Sequence, residues 1–262
     1  MRALCEDKLG NLWVGVKDGM LRLYDVRRTY KGYLTENGTV STTGTPMRGT
    51  AYFVIQDSKG IIWIATKGDG LIRAESTSPD GMSYRLTRYL HQEDDMYSLS
   101  DNNVYCVYED HHGRIWVATF GGGINYITED KDRKTLFINH RNNLKGYPID
   151  PCYKARFITS DNNGRLWVGT TTGAIAFDEN FEKPEEVEFH HFSRVPNDTQ
   201  SLSNNDVHWI IPTQNKELYL GTFGGGLNKL VSIDKDGHAK FESYSVQDGL
   251  CLLYTSDAAD DL

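Results

Sequence analysis

An all-β fold of repeated four-stranded antiparallel sheets is what this 262-residue sequence predicts, and three observations predict it. Five segments align without a gap: DKLGNLWVGVKDGML (7–21), DSKGIIWIATKGDGL (57–71), DHHGRIWVATFGGGI (110–124), DNNGRLWVGTTTGAI (161–175) and TQNKELYLGTFGGGL (213–227). Their anchor aromatics Trp13, Trp63, Trp116, Trp167 and Tyr219 recur at intervals of 50, 53, 51 and 52 residues. That period is too long for most helical solenoids and suits propeller blades. Around each anchor the apolar residues alternate strictly, and no helical periodicity of useful length occurs. The predicted class is therefore an all-β β-propeller fragment: five four-stranded antiparallel blades in an incomplete ring.

Each element has a chemical reason. A short apolar first strand is expected at 3–5, 52–55, 104–108, 156–159 and 207–211. Next comes Asp-x-x-Gly, as Asp7/Gly10, Asp57/Gly60, Asp110/Gly113 and Asp161/Gly164. This spacing suits a type I turn in which the Asp side chain accepts from backbone amides and the Gly takes a positive φ. The second strand then places Leu12, Val14 and Val16 on one face, with Trp13 and Gly15 on the other. Both faces are apolar or small, so these strands are expected to be covered on both sides. A glycine-bearing turn leads to a third strand, such as 124–128 or 227–230. More polar fourth strands are expected at 30–35, 84–90, 135–140, 187–192 and 241–246. Blade boundaries fall at about 1–49, 50–99, 100–150, 151–202 and 203–250.

Composition agrees. Twenty-five glycines and 11% aromatic residues fit many turns and filled sheets. No apolar run approaches the roughly 18 residues of a membrane span, and the opening MRALCEDK does not read as a secretory signal. The end of the chain, CLLYTSDAADDL at 251–262, breaks the pattern. Its first ten residues translate TGT CTC TTA TAC ACA TCT GAC GCT GCC GAC, and it resembles translated sequencing adapter. It is expected to be non-native and without function. Its three aspartates belong to the net charge of −8, leaving −5 without them, a balance unsuited to a general nucleic-acid surface. Apart from Cys251, the three cysteines sit at unrelated phases with no CxxC spacing, so free thiols are expected.

The repeat consensus ED-x-x-G-x-[IL]-W-[IV]-[GA]-T-x-x-G-G-[LI] resembles the two-component regulator propeller repeat. It is matched best by EDHHGRIWVATFGGGI at 109–124, and YSLSDNNV (97–104) and QSLSNNDV (200–207) resemble the family's inter-blade joint. The resemblance covers 1–250. The fifth copy departs, with Thr213 and Lys216 in place of Asp and Gly, and the first has Val16 for Thr; looser turns are expected there. The resemblance implies an extracytoplasmic, periplasmic sensor region of a Bacteroidota-type hybrid two-component histidine kinase that detects glycan fragments and controls polysaccharide use. It further implies a parent with remaining blades, an immunoglobulin-like module, a kinase and homodimeric assembly, of which this chain is a truncated piece.

Strand alternation places the turn between second and third strands on the same face as the linker entering the next blade, opposite the Asp-x-x-Gly turns. That face would carry 67–70, 120–123, 171–173 and 223–226 with linkers 101–103, 153–156 and 204–206. The candidate ligand residues are Lys67, Asp69, Asn102, Asn103, Phe120, Tyr153, Arg156, Asn204, Asn205 and Phe223. Aromatics beside amides and carboxylates suit an oligosaccharide or other small ligand, whose apolar faces stack while hydroxyls take fixed partners. The competing reading is structural: Phe120 and Phe223 close a blade's apolar end, and the glycine runs answer turn geometry. The repeated Asp7, Asp57, Asp110 and Asp161 read as turn caps, since a catalytic acid has no reason to recur in every blade. The pair His111-His112 is expected on a turn and His190-His191 on an outer strand, where adjacent residues point oppositely, so the second pair does not readily chelate one metal. No catalytic residue, metal site or cofactor is assigned. A ligand-sensing propeller is favoured over a protein-interaction scaffold and over a glycoside hydrolase or lyase, which needs a pair of carboxylates.

Overall fold

The structure is a computed structural model that describes residues 2–132, 134–234 and 237–250; the stretch at 251–262 expected to be adapter-derived lies outside the described residues. The described chain is almost entirely β. The first sheet runs in order through β1 (Ala3–Glu6), β2 (Leu12–Gly15), β3 (Leu21–Tyr24), β4 (Tyr30–Leu34) and β5 (Val40–Ser41). The second holds β6 (Thr50–Gln56), β7 (Ile62–Lys67), β8 (Leu71–Ser76) and β9 (Tyr84–Tyr89). The third holds β10 (Val104–Glu109), β11 (Ile115–Thr119), β12 (Gly123–Glu129) and β13 (Thr135–Ile138). After a single helical turn, α1 (Ile149–Cys152), come β14 (Ala155–Ser160), β15 (Arg165–Thr170), β16 (Gly173–Asp178) and β17 (His190–Phe192). The last sheet holds β18 (Val207–Pro212), β19 (Leu218–Thr222), β20 (Gly226–Ile233) and β21 (Ala239–Tyr244). Every pairing between neighbouring strands is antiparallel. This is the expected blade architecture of a β-propeller fragment.

Two details of the strands differ from expectation. The first blade gains β5 as a fifth strand, because the Thr35–Gly38 turn reverses the chain and lets Val40 pair with Leu34. The outer strand of the fourth blade begins only at His190, since Pro184 lacks a donor and starts a 3₁₀ turn over Pro184–Glu186 instead.

Two compact units divide the chain, one up to Lys145 with the first three blades and one from Gly146 with the last two. In the first unit β6 packs on β1 and β2, while β10 packs on β6 and β7. The middle blade is thus sandwiched, and β7 is buried along five consecutive residues. β2, with a neighbour on one side, alternates half-buried and buried. In the second unit β18 packs on β14 and β15.

The anchor indoles are among the most buried side chains: Trp13, Trp116 and Trp167 have no exposure and Trp63 is 4% exposed. What orients them is the turn aspartate. In Asp161, Oδ1 accepts from the amides of Asn163 (2.7 Å) and Arg165 (3.0 Å), while Oδ2 accepts from the Trp167 indole at 3.0 Å. The same clip joins Asp7 to Trp13 (3.0 Å), Asp57 to Trp63 (2.8 Å) and Asp110 to Trp116 (2.9 Å). One buried carboxylate therefore closes the turn and satisfies the indole N–H that burial would leave unpaired.

The glycines of these turns carry less of the repeat than the aspartates and indoles with which the sequence groups them. Gly10, Gly60 and Gly113 are half-buried and belong to none of the apolar clusters. Their amides donate to the carbonyls of Asp7 (2.9 Å), Asp57 (3.0 Å) and Asp110 (2.9 Å), closing each turn, and their φ angles are 79°, 86° and 74°. Space is not what selects glycine at two of them. A Cβ on Gly60 or Gly113 would meet only the end of the Gln56 or Glu109 side chain, at 3.8 or 3.9 Å, whereas one on Gly10 would come within 3.3 Å of Val26. The requirement is the left-handed backbone, and it is a soft one. In the fifth copy Lys216 holds the same conformation with a φ of 63°, and among the described residues the Thr213 hydroxyl accepts only from the Glu217 amide, at 3.2 Å. Tyr219 accordingly turns its hydroxyl to Glu217 (3.1 Å).

The consensus Thr closes the opposite turn. Thr66, Thr119, Thr170 and Thr222 donate through Oγ1 to the carbonyls of Gly70, Gly123, Gly173 and Gly226, at 2.6 to 3.3 Å. Val16 lacks this hydroxyl, and its turn rests on the backbone bond from the Val16 amide to Met20 (3.2 Å). Here crowding does require glycine: a Cβ at Gly173 or Gly226 would lie 2.1 or 2.2 Å from the carbonyl oxygen of Phe192 or Tyr244 on the outer strand.

Candidate ligand-binding face

The two kinds of segment expected to share a face do so in both units. The Gly70 amide donates to Asn102 O (2.9 Å) and the Phe120 amide to Asn103 O (2.8 Å). Likewise Thr171 donates to Lys154 O (3.3 Å) and Phe223 to Asp206 O (2.8 Å). These main-chain bonds tie each second-to-third-strand turn to a blade-entry linker.

The linkers are themselves tightly folded. Leu99 and Leu202 are buried, and the next amides, of Ser100 and Ser203, donate to the fully buried Asn125 and Asn228. Asp101 and Asn204 each fold an Asx turn by accepting from the backbone two residues on, at 2.7 and 2.9 Å. Asn102 and Asn205 accept from the amides of His91 (2.8 Å) and Arg194 (2.6 Å). The structure thus uses Asn102, Asn205 and Asn204 to shape the linkers, while Asn103 donates its side-chain amide to Asp101 (3.0 Å).

A feature absent from the sequence reading dominates the face. In four blades the ladder between the first two strands skips one residue: Tyr52 in β6, Tyr105 in β10, Arg156 in β14 and His208 in β18. Each is a β-bulge five residues before the turn Asp or Thr, and bulges re-aim side chains. Arg2 occupies the same offset in the first blade.

In the first unit these positions form a row. The Tyr52 and Tyr105 rings lie 4.9 Å apart, and Tyr105 stacks on Phe120 at 4.8 Å with an interplanar angle of 18°. The Arg2 guanidinium sits 4.9 Å and the Lys67 ammonium 5.8 Å from the Tyr52 ring centre, distances at which a cation is attracted to a ring face. Asp69, in the same turn as Lys67, is held by Arg48 (3.0 Å) and Arg88 (3.8 Å). Lys67 and Phe120 are therefore brought together around Tyr52 and Tyr105, whereas Asp69 is engaged elsewhere.

In the second unit the same offset carries charge. Arg156 forms a two-pronged ion pair with Asp206 (2.9 and 3.3 Å), and His208 approaches the same carboxylate at 3.4 Å while stacking on Phe223. Burial by itself would raise the Asp206 carboxyl, but the nearby His208 ring and the Arg156 charge outweigh it and hold the group below the ordinary carboxylate range. Phe223 is half exposed. Tyr153 is 40% exposed and contacts the Lys154 ammonium, 5.3 Å above its ring, and no bond joins it to the Arg156 cluster among the described residues.

Sequence reasoning named Lys67, Phe120, Arg156 and Phe223 but missed Tyr52, Tyr105, Asp206 as a partner, and His208. The usable signal was the variable residue five before each turn Asp, flanked on both sides by apolar strand residues.

Comparison with known proteins shows what this chain is similar to. A family model described as "Two component regulator propeller" matches residues 98–121, the span holding Leu99, Asp110, Trp116 and Thr119. Histidine kinase P4 of Formosa agariphila is 29% identical over 111 residues, 42% of this chain and 8% of that protein. The extracellular domain of the hybrid two component system BT3049 from B. thetaiotaomicron has a TM-score of 0.64 at 22% identity, over 92% of this chain and 30% of that one. Virginiamycin B lyase from Staphylococcus aureus has a TM-score of 0.60 at 15% identity, over 94% of this chain and 71% of that one. The chain spans less than a third of the sensor domain it matches, and at these identities the solved structures establish the fold alone. The segment at 98–121, anchored on Trp116, matches the two-component regulator propeller repeat, and the segments anchored on Trp13, Trp63, Trp167 and Tyr219 share its pattern.

Proposed function

We propose that this chain is a ligand-sensing propeller segment of a hybrid two-component sensor, that it binds a glycan fragment on the bulge face, and that it regulates polysaccharide utilisation without turning its ligand over. The observation that carries this reading is the row Tyr52, Tyr105 and Phe120, three rings presented by bulge and turn on one face of the first unit. Such rings stack on the apolar faces of sugars and their phenol groups serve hydroxyls. The carboxylates of that face are spent on structure, Asp69 on two guanidiniums and Asp101 on Asn103, which favours binding over hydrolysis. The likeness to an extracellular domain supports a periplasmic placement.

Further blades are part of the reading. On β18 Trp209 and Ile211 are 50% and 52% exposed. The equivalent residues of β6, Phe53 and Ile55, pack against the core of the third blade. A sixth blade would cover Trp209 and Ile211 in the same way. The other expected partners are an immunoglobulin-like module and a second copy in the parent; nucleic acid is not among them. An enzyme reading draws on one observation, the His208–Asp206 pair beside exposed Phe223. Calorimetry against an oligosaccharide panel, with chromatography of the recovered ligand, tests both. Saturable heat with intact ligand is expected; cleaved or eliminated sugar would transfer the assignment to the enzyme reading.

A further inference from the structure

The linker that enters the fifth blade repeats the one that enters the third. The Ser98 hydroxyl accepts from the Gln92 amide (2.9 Å) and donates to Asp95 O (2.7 Å); the Ser201 hydroxyl accepts from the Val195 amide (2.9 Å) and donates to Asp198 O (2.9 Å). The outer strand docks on both in the same way, with Phe137 N donating to Tyr97 O and Phe241 N to Gln200 O, each at 2.8 Å. Val195, Pro196 and Thr199 therefore stand where Gln92, Glu93 and Met96 do.

What covers the two linkers differs. In the third blade the chain leaving β13 turns back at once. The Arg141 guanidinium donates to Gln92 O (3.3 Å) and Glu93 O (2.8 Å), and Asn142 Nδ2 donates to Met96 O (2.8 Å). In the fifth blade the outer strand runs two residues further past its docked phenylalanine, since β13 ends at Ile138 and β21 at Tyr244. The turn then begins late: the Asn139 amide donates to Asn142 Oδ1, whereas the matching bond runs from the Ser245 amide to the Asp248 carboxylate. Two residues of strand carry that turn roughly 7 Å beyond the linker. Among the described residues no hydrogen bond from 245–250 reaches 194–200. A cleft of about 740 Å³ is left there, lined by Arg194, Val195, Asp198, Thr199, Lys240 and Glu242 among others.

From this internal duplication we infer that the cleft of the fifth blade is a docking site for a partner polypeptide presenting an arginine followed by an asparagine, which takes in trans the place that Arg141 and Asn142 fill in cis. The acceptors are main-chain carbonyls held by the linker's own bonds, at Val195, Pro196 and Thr199. A guanidinium offers its donors in a planar fork and a carboxamide adds two more, so the pair matches a fan of fixed carbonyls better than a lysine does. The local charge agrees. Arg194 replaces His91, but it is exposed and can swing aside, and the cleft holds a carboxylate that the third blade commits elsewhere. Asp95 pairs with Lys134 (3.7 Å), whereas Asp198 has no ion pair among the described residues and accepts from the Gln200 amide (2.9 Å). None of these residues belongs to the bulge face, so the inference stands apart from the glycan reading.

The probe is the acetylated, amidated pentapeptide His-Arg-Asn-Asn-Leu, the sequence of 140–144, titrated into the full chain with amide NMR as the readout. Saturable shifts are expected at Val195, Asp198 and Thr199, with none at 92–96, where the cis segment already sits. A peptide with lysine in place of arginine should bind on the order of tenfold weaker, because hydrogen bonds from a charged donor are lost. One with alanine in place of the first asparagine should bind a few-fold weaker. A chimera carrying the 139–144 sequence in place of 243–248 should fill the cleft in cis and lose the response to the peptide. The peptide series stands by itself if the chimera does not fold. No shift at 195–199 at millimolar peptide, equal binding of the arginine, lysine and alanine peptides, or a folded chimera that responds as the parent chain does would each overturn the inference.

Discussion

Replacing Asp161 by Ala tests the clip that recurs through the repeats. The carboxylate is 5% exposed and accepts three hydrogen bonds, two from backbone amides and one from the fully buried Trp167 indole. Bonds to a charged acceptor are worth about 1.5 kcal/mol or more each, and an indole N–H left unsatisfied in the core costs about 1–3 kcal/mol. Water can reach the turn amides at the surface and recover part of the loss, so about 3–5 kcal/mol of destabilisation is expected for Asp161→Ala. Asp161→Asn separates the two functions. Its carbonyl keeps the amide bonds, but its NH2 then faces the indole donor, for an expected cost of about 2 kcal/mol. Combining Asp161→Asn with Trp167→Phe removes that conflict, so the double variant should be more stable than the sum of the single losses implies. Urea unfolding followed by tryptophan fluorescence, read at constant m, is the assay. A loss below about 1 kcal/mol for Asp161→Ala, or strict additivity in the cycle, would show that the clip is a by-product of the turn and not what fixes the indole.

Three further outcomes follow from the same geometry. Gly173→Ala adds a Cβ 2.1 Å from Phe192 O at a φ of 131°, so a loss of about 2–4 kcal/mol is expected from backbone strain and overpacking; Gly60→Ala, at a φ of 86° with only the Gln56 side chain near its Cβ, should lose about 1 kcal/mol in the same thermal melts. Lys216→Gly relieves a left-handed φ of 63° and should be neutral to about 1 kcal/mol stabilising by urea midpoint, the gain offset in part by the freer unfolded chain. Asp206 has its folded pKa held below the unfolded value, so its contribution is present above the unfolded pKa of about 3.9 and is lost as pH falls through the folded one. Carboxyl-carbon NMR should place its midpoint below that value, and Asp206→Asn should flatten the fall of stability below about pH 4; a midpoint at or above it would remove the ion cluster from the reasoning.

The sequence by itself determined the blades. A 50- to 53-residue period, period-two alternation and the Asp-x-x-Gly spacing are local signals, each written within a few residues of the element it specifies. The same holds for the turn residues: Asp161 and Gly164 sit where the turn needs an acceptor and a positive φ, as do Asp57 and Gly60. Tertiary structure decided what the repeated residues do for one another. That Asp161 Oδ2 reaches the Trp167 indole six residues on depends on the curl of the strand pair, which periodicity does not encode. It also separated two kinds of glycine that look alike in the repeat: Gly60 and Gly113 answer only to φ, while Gly173 and Gly226 lie under an outer-strand carbonyl. The face was decided in the same way. A bulge is an extra residue in a ladder, visible only once the partner strand's register is known, so Tyr52, Tyr105, Arg156 and His208 read as ordinary strand residues until β6, β10, β14 and β18 are paired. Asn102 and Asn205 went the other way. They read as ligand groups from composition, yet the linker's return path brings the His91 and Arg194 amides onto their side-chain oxygens. Those amides lie eleven residues back along the chain, and a contact at that separation is set by packing, because backbone donors that turn inward must find acceptors wherever the fold places them.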